Sequence, residues 1–149
     1  MIYQKILTHA FFDQKAGTSG LRKKTKIFKQ AHYLENYIQS IFNVMGNDRD
    51  SLVIGGDGRY HNDEALQIII KMAVANKFRT LYVGQHGLLS TPAISVIIRK
   101  HKISAGIILS ASHNPAGPSG DFGVKFNTSN GAPATGLISR AIYSESKKL

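Results

Sequence analysis

The chain has 149 residues and no cysteine, and its 19 Lys and Arg residues outweigh 9 Asp and Glu residues to give a formal net charge of +10. This length suits one domain with its own core, and the lack of cysteine excludes a disulfide scaffold, a thiolate zinc site and cysteine catalysis. The N-terminus lacks the pattern of a signal peptide and no apolar run is long enough to span a bilayer, so we expect a cytoplasmic protein.

The positive charge predicts an attraction to anions, such as phosphorylated metabolites, nucleic acid or acidic lipid. Basic residues cluster at residues 22–26, 99–102 and 147–148. Nucleic acid is the first alternative, but the sequence has no RNA-recognition signature, no zinc-ligand spacing and no basic strand with interleaved aromatics. We therefore expect no nucleic-acid partner and interpret most of the charge as a solvated surface.

The predicted elements alternate between helices and strands. Apolar residues recur every three or four positions from residue 30 to 45, which predicts an amphipathic helix closed by Gly46. Asn62 and Thr91 are predicted as N-caps of the next two helices, and Pro92 suits the first helical position. The predicted helices span residues 30–45, 62–77 and 91–101, with a further candidate from about residue 132, and the predicted strands span 51–56, 79–84, 104–109 and 122–127.

This order of elements predicts the fold class. Strands and helices that alternate with short connections are typical of an α/β fold with a mainly parallel sheet flanked by helices, here as a single domain. Ligands of such sheets bind beyond the carboxyl ends of the strands. The candidate functional loops at that edge are residues 57–59, residues 87–91 and the loop that contains Ser112.

The most informative motif is Ser-Ala-Ser-His-Asn-Pro at residues 110–115, directly after the apolar strand that ends at Leu109. Asn and Pro favour a sharp, rigid turn, and loops held by a rigid sheet often carry chemistry. Ser112 is a weak nucleophile by itself, so it needs a base, a cation or a metal nearby; His113 is adjacent and Lys125 lies downstream. The alternative is a polar turn whose serines cap a helix.

A second motif, Gly-Thr-Ser-Gly-Leu-Arg at residues 17–22, has the residue types of a phosphate site. Glycines let backbone N–H groups approach an oxyanion, the hydroxyls of Thr18 and Ser19 donate, and the Arg22 guanidinium pairs with phosphate oxygens. The alternative is a flexible turn before a basic surface.

A third motif, Gly-Gly-Asp-Gly-Arg at residues 55–59, ends the first predicted strand. Its spacing matches neither a Walker A loop nor a dinucleotide fingerprint. We interpret it as structural, with Asp57 and Arg59 organising the edge of the sheet by pairing with each other or with the Ser112 loop.

The histidines give no metal site of their own. Five of the six histidines lack metal-ligand spacing, and His113 suits phosphate binding or proton transfer because imidazole titrates near neutral pH. A phosphorylated Ser112 would supply a hard oxygen ligand of the kind that Mg²⁺ prefers.

Together these motifs resemble the N-terminal domain of the phosphoglucomutases, in the α-D-phosphohexomutase superfamily. Residues 110–115 resemble the family's Thr-Ala-Ser-His-Asn-Pro, residues 13–22 its N-terminal active-site segment, residues 55–59 its first-strand turn, and residues 117–127 the phosphoglucomutase form of the next loop. Ser110 stands where Thr is usual, and Ala116 and Ser119 stand where Gly and Asn are common, so no reactive group is lost.

The resemblance implies that residues 1–149 are domain I of a protein with later domains. In the family, a metal loop of three aspartates lies in the second domain, a sugar-reading loop in the third and a phosphate-binding loop in the fourth. We therefore expect this chain to be the first domain of a longer protein, with those domains as its partners, and to be inactive in isolation.

The activity implied is the interconversion of glucose 1-phosphate and glucose 6-phosphate, with Mg²⁺ and with glucose 1,6-bisphosphate as intermediate and activator. By resemblance, Ser112 is the phosphoserine and binds the metal through its phosphate, while Arg22, Thr18 and Ser19 hold substrate phosphate. Lys125 stabilises charge or takes the hydroxyl proton, and His113 assists at the phosphate or orients the loop. The alternatives are a phosphomannomutase and a structural, parafusin-like relative.

Overall fold

A computed structural model describes residues 3–149 as a five-stranded sheet with helices packed on it. The strands are β1 (Leu21–Lys24), β2 (Ser51–Gly56), β3 (Thr80–Leu88), β4 (Ala105–Leu109) and β5 (Asp121–Asn127). The helices are α1 (Thr25–Phe28), α2 (Tyr33–Met45), α3 (Asn62–Ala75), α4 (Thr91–His101) and α5 (Gly136–Ser146). Among these residues, no helix combines the length and the apolar character needed to cross a bilayer.

The sheet has the order β1-β5-β4-β2-β3 and is mixed, which confirms the α/β class and qualifies the mainly parallel prediction. β2 pairs in parallel with both β3 and β4, whereas β5 runs antiparallel to both β4 and β1. A parallel neighbour needs a crossover of about a dozen residues or more, usually with a helix. The loop at residues 110–120 contains no helix, so β5 returns beside β4 in the opposite direction.

Two short elements, β1 and α1, lie where the sequence suggested only a basic surface. In β1, Leu21 is buried against the core while Lys24 is exposed. Charged residues are common on edge strands because they discourage pairing with other chains, but they hide the alternation by which strands are recognised. The prediction missed this strand for that reason.

The helix caps differ from those predicted. The cap of α4 is Ser90, whose Oγ accepts a hydrogen bond from the Ala93 N–H at 3.2 Å, so Thr91 is the first helical residue. His61 precedes α3 in a left-handed conformation with no side-chain cap, and Asn62 is helical. The helix predicted over residues 30–45 is α2, and it begins three residues later than predicted, at Tyr33, after a turn at residues 29–32.

The core lies on both faces of the sheet, because successive side chains of a strand point to opposite sides. Leu52 and Ile54 of β2 belong to the larger cluster, with residues of α2 and α3. Val53 faces the other way, into a small cluster under α4 that includes Ile94 and Ile98. The carboxyl ends of β2 and β4 meet at one edge of this sheet, next to the candidate site.

Candidate active site

Ser112 lies in the loop that leaves β4, and its side chain is exposed. Its backbone is left-handed, with φ of 55°. For a residue with a Cβ this conformation costs about 1–2 kcal/mol, so it persists only where the surrounding contacts hold it. The nucleophile predicted from the sequence is therefore also a strained residue.

Two cations converge on the Ser112 hydroxyl. Arg22 donates from Nη2 to Ser112 Oγ at 2.9 Å, and Lys125 donates from Nζ to the same atom at 2.9 Å. The sheet register explains this convergence, because Arg22 of β1 pairs with Gly123 of β5 and Lys125 lies two residues along that strand. Paired residues and residues two apart share a face, so both cations lie on one side of the sheet.

Gly123 makes room for the serine loop on this face. A Cβ at Gly123 would lie 2.4 Å from the carbonyl oxygen of Ser110, which no side chain tolerates. The Ser110 N–H also donates to the Gly123 carbonyl at 2.9 Å. The backbone of Ser110 and Ala111 therefore packs directly on Gly123 of β5. This contact leaves Ser112 between the two cations.

Burial and neighbouring groups shift the pKa values of Lys125 and Asp57. Burial lowers the pKa of Lys125, the charge of Arg22 lowers it further, and the charge of Asp57 opposes this. Burial alone would raise the pKa of Asp57, but hydrogen bonds from Arg59 and Ser110 outweigh that effect and lower it. Lys125 is thus more readily deprotonated than an exposed lysine, which suits a group that exchanges protons.

Asp57 and Arg59 organise the edge of the sheet, as their motif predicted. The Arg59 side chain is only 4% exposed and pairs with the Asp57 carboxylate at 2.9 Å. It also donates to the carbonyl oxygens of Ser112 at 3.0 Å and of Asp121 at 2.7 Å. Arg59 therefore fastens the loop after β2 to both ends of the serine loop.

Thr18 and Ser19 form the exposed tip of a tight turn closed by two hydrogen bonds between the backbones of Gly17 and Gly20, at 3.1 and 3.2 Å. Gly20 has φ of 86° and lies so close to β5 that a Cβ would be 2.3 Å from the Val124 carbonyl oxygen. The turn borders a cavity of about 130 Å³ that Lys125 also lines. The two hydroxyls lie at the rim of the site and are not among the hydrogen-bond partners found for Ser112 within residues 3–149.

His113 is exposed next to Ser112, and within the described residues its ring has no hydrogen-bond partner. The structure thus brings together Ser112, Arg22 and Lys125 but leaves His113 at the surface. Ser110 is a further residue of the site that was not predicted from the sequence: it is buried and hydrogen-bonds both Asp57 and the Ser112 N–H. The signal available was the spacing, since a serine two residues before another backbone N–H is a common local acceptor.

The residues of this site do not by themselves fit a magnesium ion. Within residues 3–149 no group of three or more His, Cys, Asp or Glu side chains is placed to hold a metal. Ser112 Oγ accepts from two cations, and the nearby Asp57 carboxylate is paired with Arg59. A divalent cation would face repulsion here unless a phosphate on Ser112 first reversed the local charge.

The sequence of this chain is similar to those of known proteins. A sequence model of phosphoglucomutase/phosphomannomutase, alpha/beta/alpha domain I, matches residues 13–149. The chain is 57% identical over 143 residues to a phosphoglucomutase of Rhizobium radiobacter, with 95% of the chain and 26% of that protein covered. It is 53% identical over 148 residues to phosphoglucomutase-1 of Homo sapiens, with 97% and 26% covered.

A solved structure shows the same fold. The open form of pp63/parafusin from Paramecium, an exocytosis-sensitive phosphoprotein and phosphoglucomutase, superposes with a TM-score of 0.94 at 47% identity, over 97% of this chain and 27% of that one. The chain thus spans about a quarter of the length of the relatives it matches. It belongs to the phosphoglucomutase/phosphomannomutase family, of which it forms the α/β/α domain I.

Proposed function

We propose that this chain is the nucleophile-bearing first domain of a phosphoglucomutase that interconverts glucose 1-phosphate and glucose 6-phosphate. Ser112 carries the phosphoryl group, and glucose 1,6-bisphosphate is the intermediate. The observation that carries the proposal is the convergence of Arg22 and Lys125, each 2.9 Å away, on the Ser112 hydroxyl. The relatives named phosphoglucomutase support a mutase reaction and glucose as the sugar.

Phosphoryl transfer depends chiefly on alignment and on stabilising the charge that spreads over the moving group. When the Oγ–P bond breaks, its electron pair stays on Ser112 Oγ, while the sugar hydroxyl forms the new O–P bond and releases its proton to solvent. Lys125 already donates a hydrogen bond to that Oγ and gives it a proton. In the return step Ser112 Oγ forms the new O–P bond and passes its proton to Lys125, while the released sugar oxygen keeps the electron pair and takes a proton from solvent; the lowered pKa of Lys125 favours this exchange.

Arg22 has a different role because its guanidinium stays charged at all relevant pH values. It holds the phosphoryl oxygens on the side of β1, and the hydroxyls of Thr18 and Ser19, which are exposed at the rim, contact substrate phosphate. Exposed His113 is free to turn toward the same phosphate. These rim residues bind substrate phosphate, whereas Ser112, Arg22 and Lys125 act on the transferred group.

Bound magnesium would neutralise phosphate charge, but over residues 3–149 the structure has no cluster of metal-ligating side chains to add to the oxygens of a phosphorylated Ser112. In the proposed enzyme, the remaining metal ligands and the groups that select the sugar belong to the later domains. We therefore propose that the chain is inactive in isolation and acts within a longer, cytoplasmic protein.

The test is a chimera in which this chain replaces the matching segment of the Rhizobium radiobacter enzyme. Conversion of glucose 1-phosphate to glucose 6-phosphate is measured with Mg²⁺ and a trace of glucose 1,6-bisphosphate, and mannose 1-phosphate is assayed in parallel. The expected result is turnover in the chimera and at least a thousandfold loss in Ser112→Ala, because covalent transfer has no other carrier. Ser119→Ala, in the same exposed loop, is the matched control.

Retention of turnover by Ser112→Ala would refute the assignment of the nucleophile. A chimera that unfolds cooperatively yet converts neither sugar phosphate would refute the enzymatic proposal and favour a structural relative.

A further inference from the structure

A closed ring of hydrogen bonds surrounds the backbone of Ser112. The Ser112 N–H donates to Ser110 Oγ at 3.0 Å, and the Ser110 hydroxyl donates to Asp57 Oδ2 at 2.8 Å. Arg59 Nη2 donates to the same Asp57 oxygen at 2.9 Å and to the Ser112 carbonyl oxygen at 3.0 Å. The ring therefore leaves Ser112 through its N–H and returns through its carbonyl group.

Holding both backbone groups of one residue restricts the two torsions between them. Ser112 is left-handed, a conformation that Gly adopts freely and Ser does not. A strained residue keeps such a conformation only if its neighbours over-determine it, and the ring supplies that restraint. Arg59 itself is fixed in place, because its side chain is only 4% exposed and also donates a hydrogen bond to the Asp121 carbonyl oxygen.

Ser110 is the link in this ring that no apolar residue can replace. It is 7% exposed, and its single hydroxyl both accepts from Ser112 and donates to Asp57. Removing the hydroxyl would leave the Asp57 oxygen and the Ser112 N–H without this partner and free the loop to relax. Thr keeps the hydroxyl and is the natural rescue substitution.

We infer that Ser110 and Asp57 are positioning residues, which hold Ser112 in its left-handed conformation so that its hydroxyl stays between Arg22 and Lys125. The effect on turnover rests on the proposed function, whereas the effect on the loop concerns this chain alone. Two separate measurements therefore test the conformation of the loop and its effect on turnover.

The first readout is hydrogen exchange of the Ser112 amide in the 149-residue chain, followed by NMR. Ser110→Ala should speed this exchange roughly tenfold, the worth of one hydrogen bond, and move the Ser112 ¹³Cα shift away from left-handed values. Ser110→Thr should restore both, Asp57→Asn should give an intermediate effect, and Ser119→Ala should change neither. Unchanged exchange and shift in a folded Ser110→Ala chain would overturn the ring.

The second readout is kinetic and uses the chimera. Ser110→Ala should lower kcat about 10- to 100-fold with little change in KM, because a misplaced nucleophile still faces a bound substrate, and Ser110→Thr should recover it. Faster exchange at Ser112 with an unchanged kcat would overturn the positioning role. An inactive chimera with Ser110 intact would refute the proposed function, and the exchange experiment would still test whether the ring restrains Ser112.

Discussion

Lys125 occupies a position that favours chemistry over stability. Burial and the Arg22 charge both lower its pKa, so the folded chain binds its proton less tightly than the unfolded chain does. Groups perturbed in this way are concentrated at functional sites, and removing them often stabilises a protein while abolishing activity. Lys125 thus provides a test at the scale of one residue.

We predict that Lys125→Met raises the free energy of unfolding at pH 7. In the wild type, the unfolded chain holds the extra proton between the lowered pKa of folded Lys125 and the ordinary value of 10.5, so stability from this group rises with pH across that window. Urea unfolding from pH 7 to 10 should show the largest difference in unfolding free energy between Lys125→Met and the wild type at pH 7, and this difference should shrink as the pH rises. Exposed Lys15→Met is the control, and an equal gain in both variants would contradict the argument.

The sequence predicted which residues belong to the candidate site better than it predicted their contacts. Residue types and motifs selected Ser112, Arg22 and Lys125, although Arg22 and Ser112 are 90 positions apart in the chain. Their meeting depends on β1 pairing with β5, and β1 was not predicted. The ring through Ser110 was missed because it depends on the left-handed turn at Ser112, which a β-carbon-bearing residue rarely adopts.

Among the elements, regular hydrophobic patterns were predicted well and helix ends less well. The strand at Ser51–Gly56 is buried throughout and was predicted with its observed bounds. The N-cap of α4 was misplaced by one residue because Ser90 and Thr91 are both good caps, and only backbone geometry selects between them. The antiparallel direction of β5 was not predicted for a similar reason, since the length of a loop alone does not determine the direction of the strand that follows.

The cap of α4 gives a prediction in which the two candidates act as each other's control. Ser90→Ala should destabilise the chain by about 1 kcal/mol, because the Ala93 N–H loses its acceptor. Thr91→Ala should change stability by less than about 0.5 kcal/mol, since its hydroxyl does not cap the helix. Denaturant midpoints of the two variants measure the difference, and a larger loss for Thr91→Ala would contradict the assignment.

At the scale of the whole molecule, apolar side chains remain exposed outside the core. Leu7 is 85%, Phe12 74% and Leu137 71% exposed, and Val83 and Leu88 lie on the edge strand β3 with 42% and 52% exposure. Large exposed apolar surfaces and open strand edges promote association between molecules.

We therefore predict that the 149-residue chain self-associates at high concentration despite its net charge of +10. Sedimentation velocity over a concentration series should show a rising mean mass, and added salt should increase it by screening the repulsion between like-charged copies. Leu7→Ser with Leu137→Ser should reduce the effect. A single monomeric species at every concentration and salt level would contradict the prediction.

The pairing of the first strand with the last also sets an order in time. A ribosome releases the N-terminal part of a chain first, so Arg22 emerges long before Lys125. β1 finds its neighbour only once β5 has been made, because Leu21 pairs with Val124. Until then Ser112 lacks both of its cations. Under the proposed function, the nascent chain therefore carries an unactivated serine, and its hydroxyl can accept a phosphoryl group only once β1 and β5 have paired.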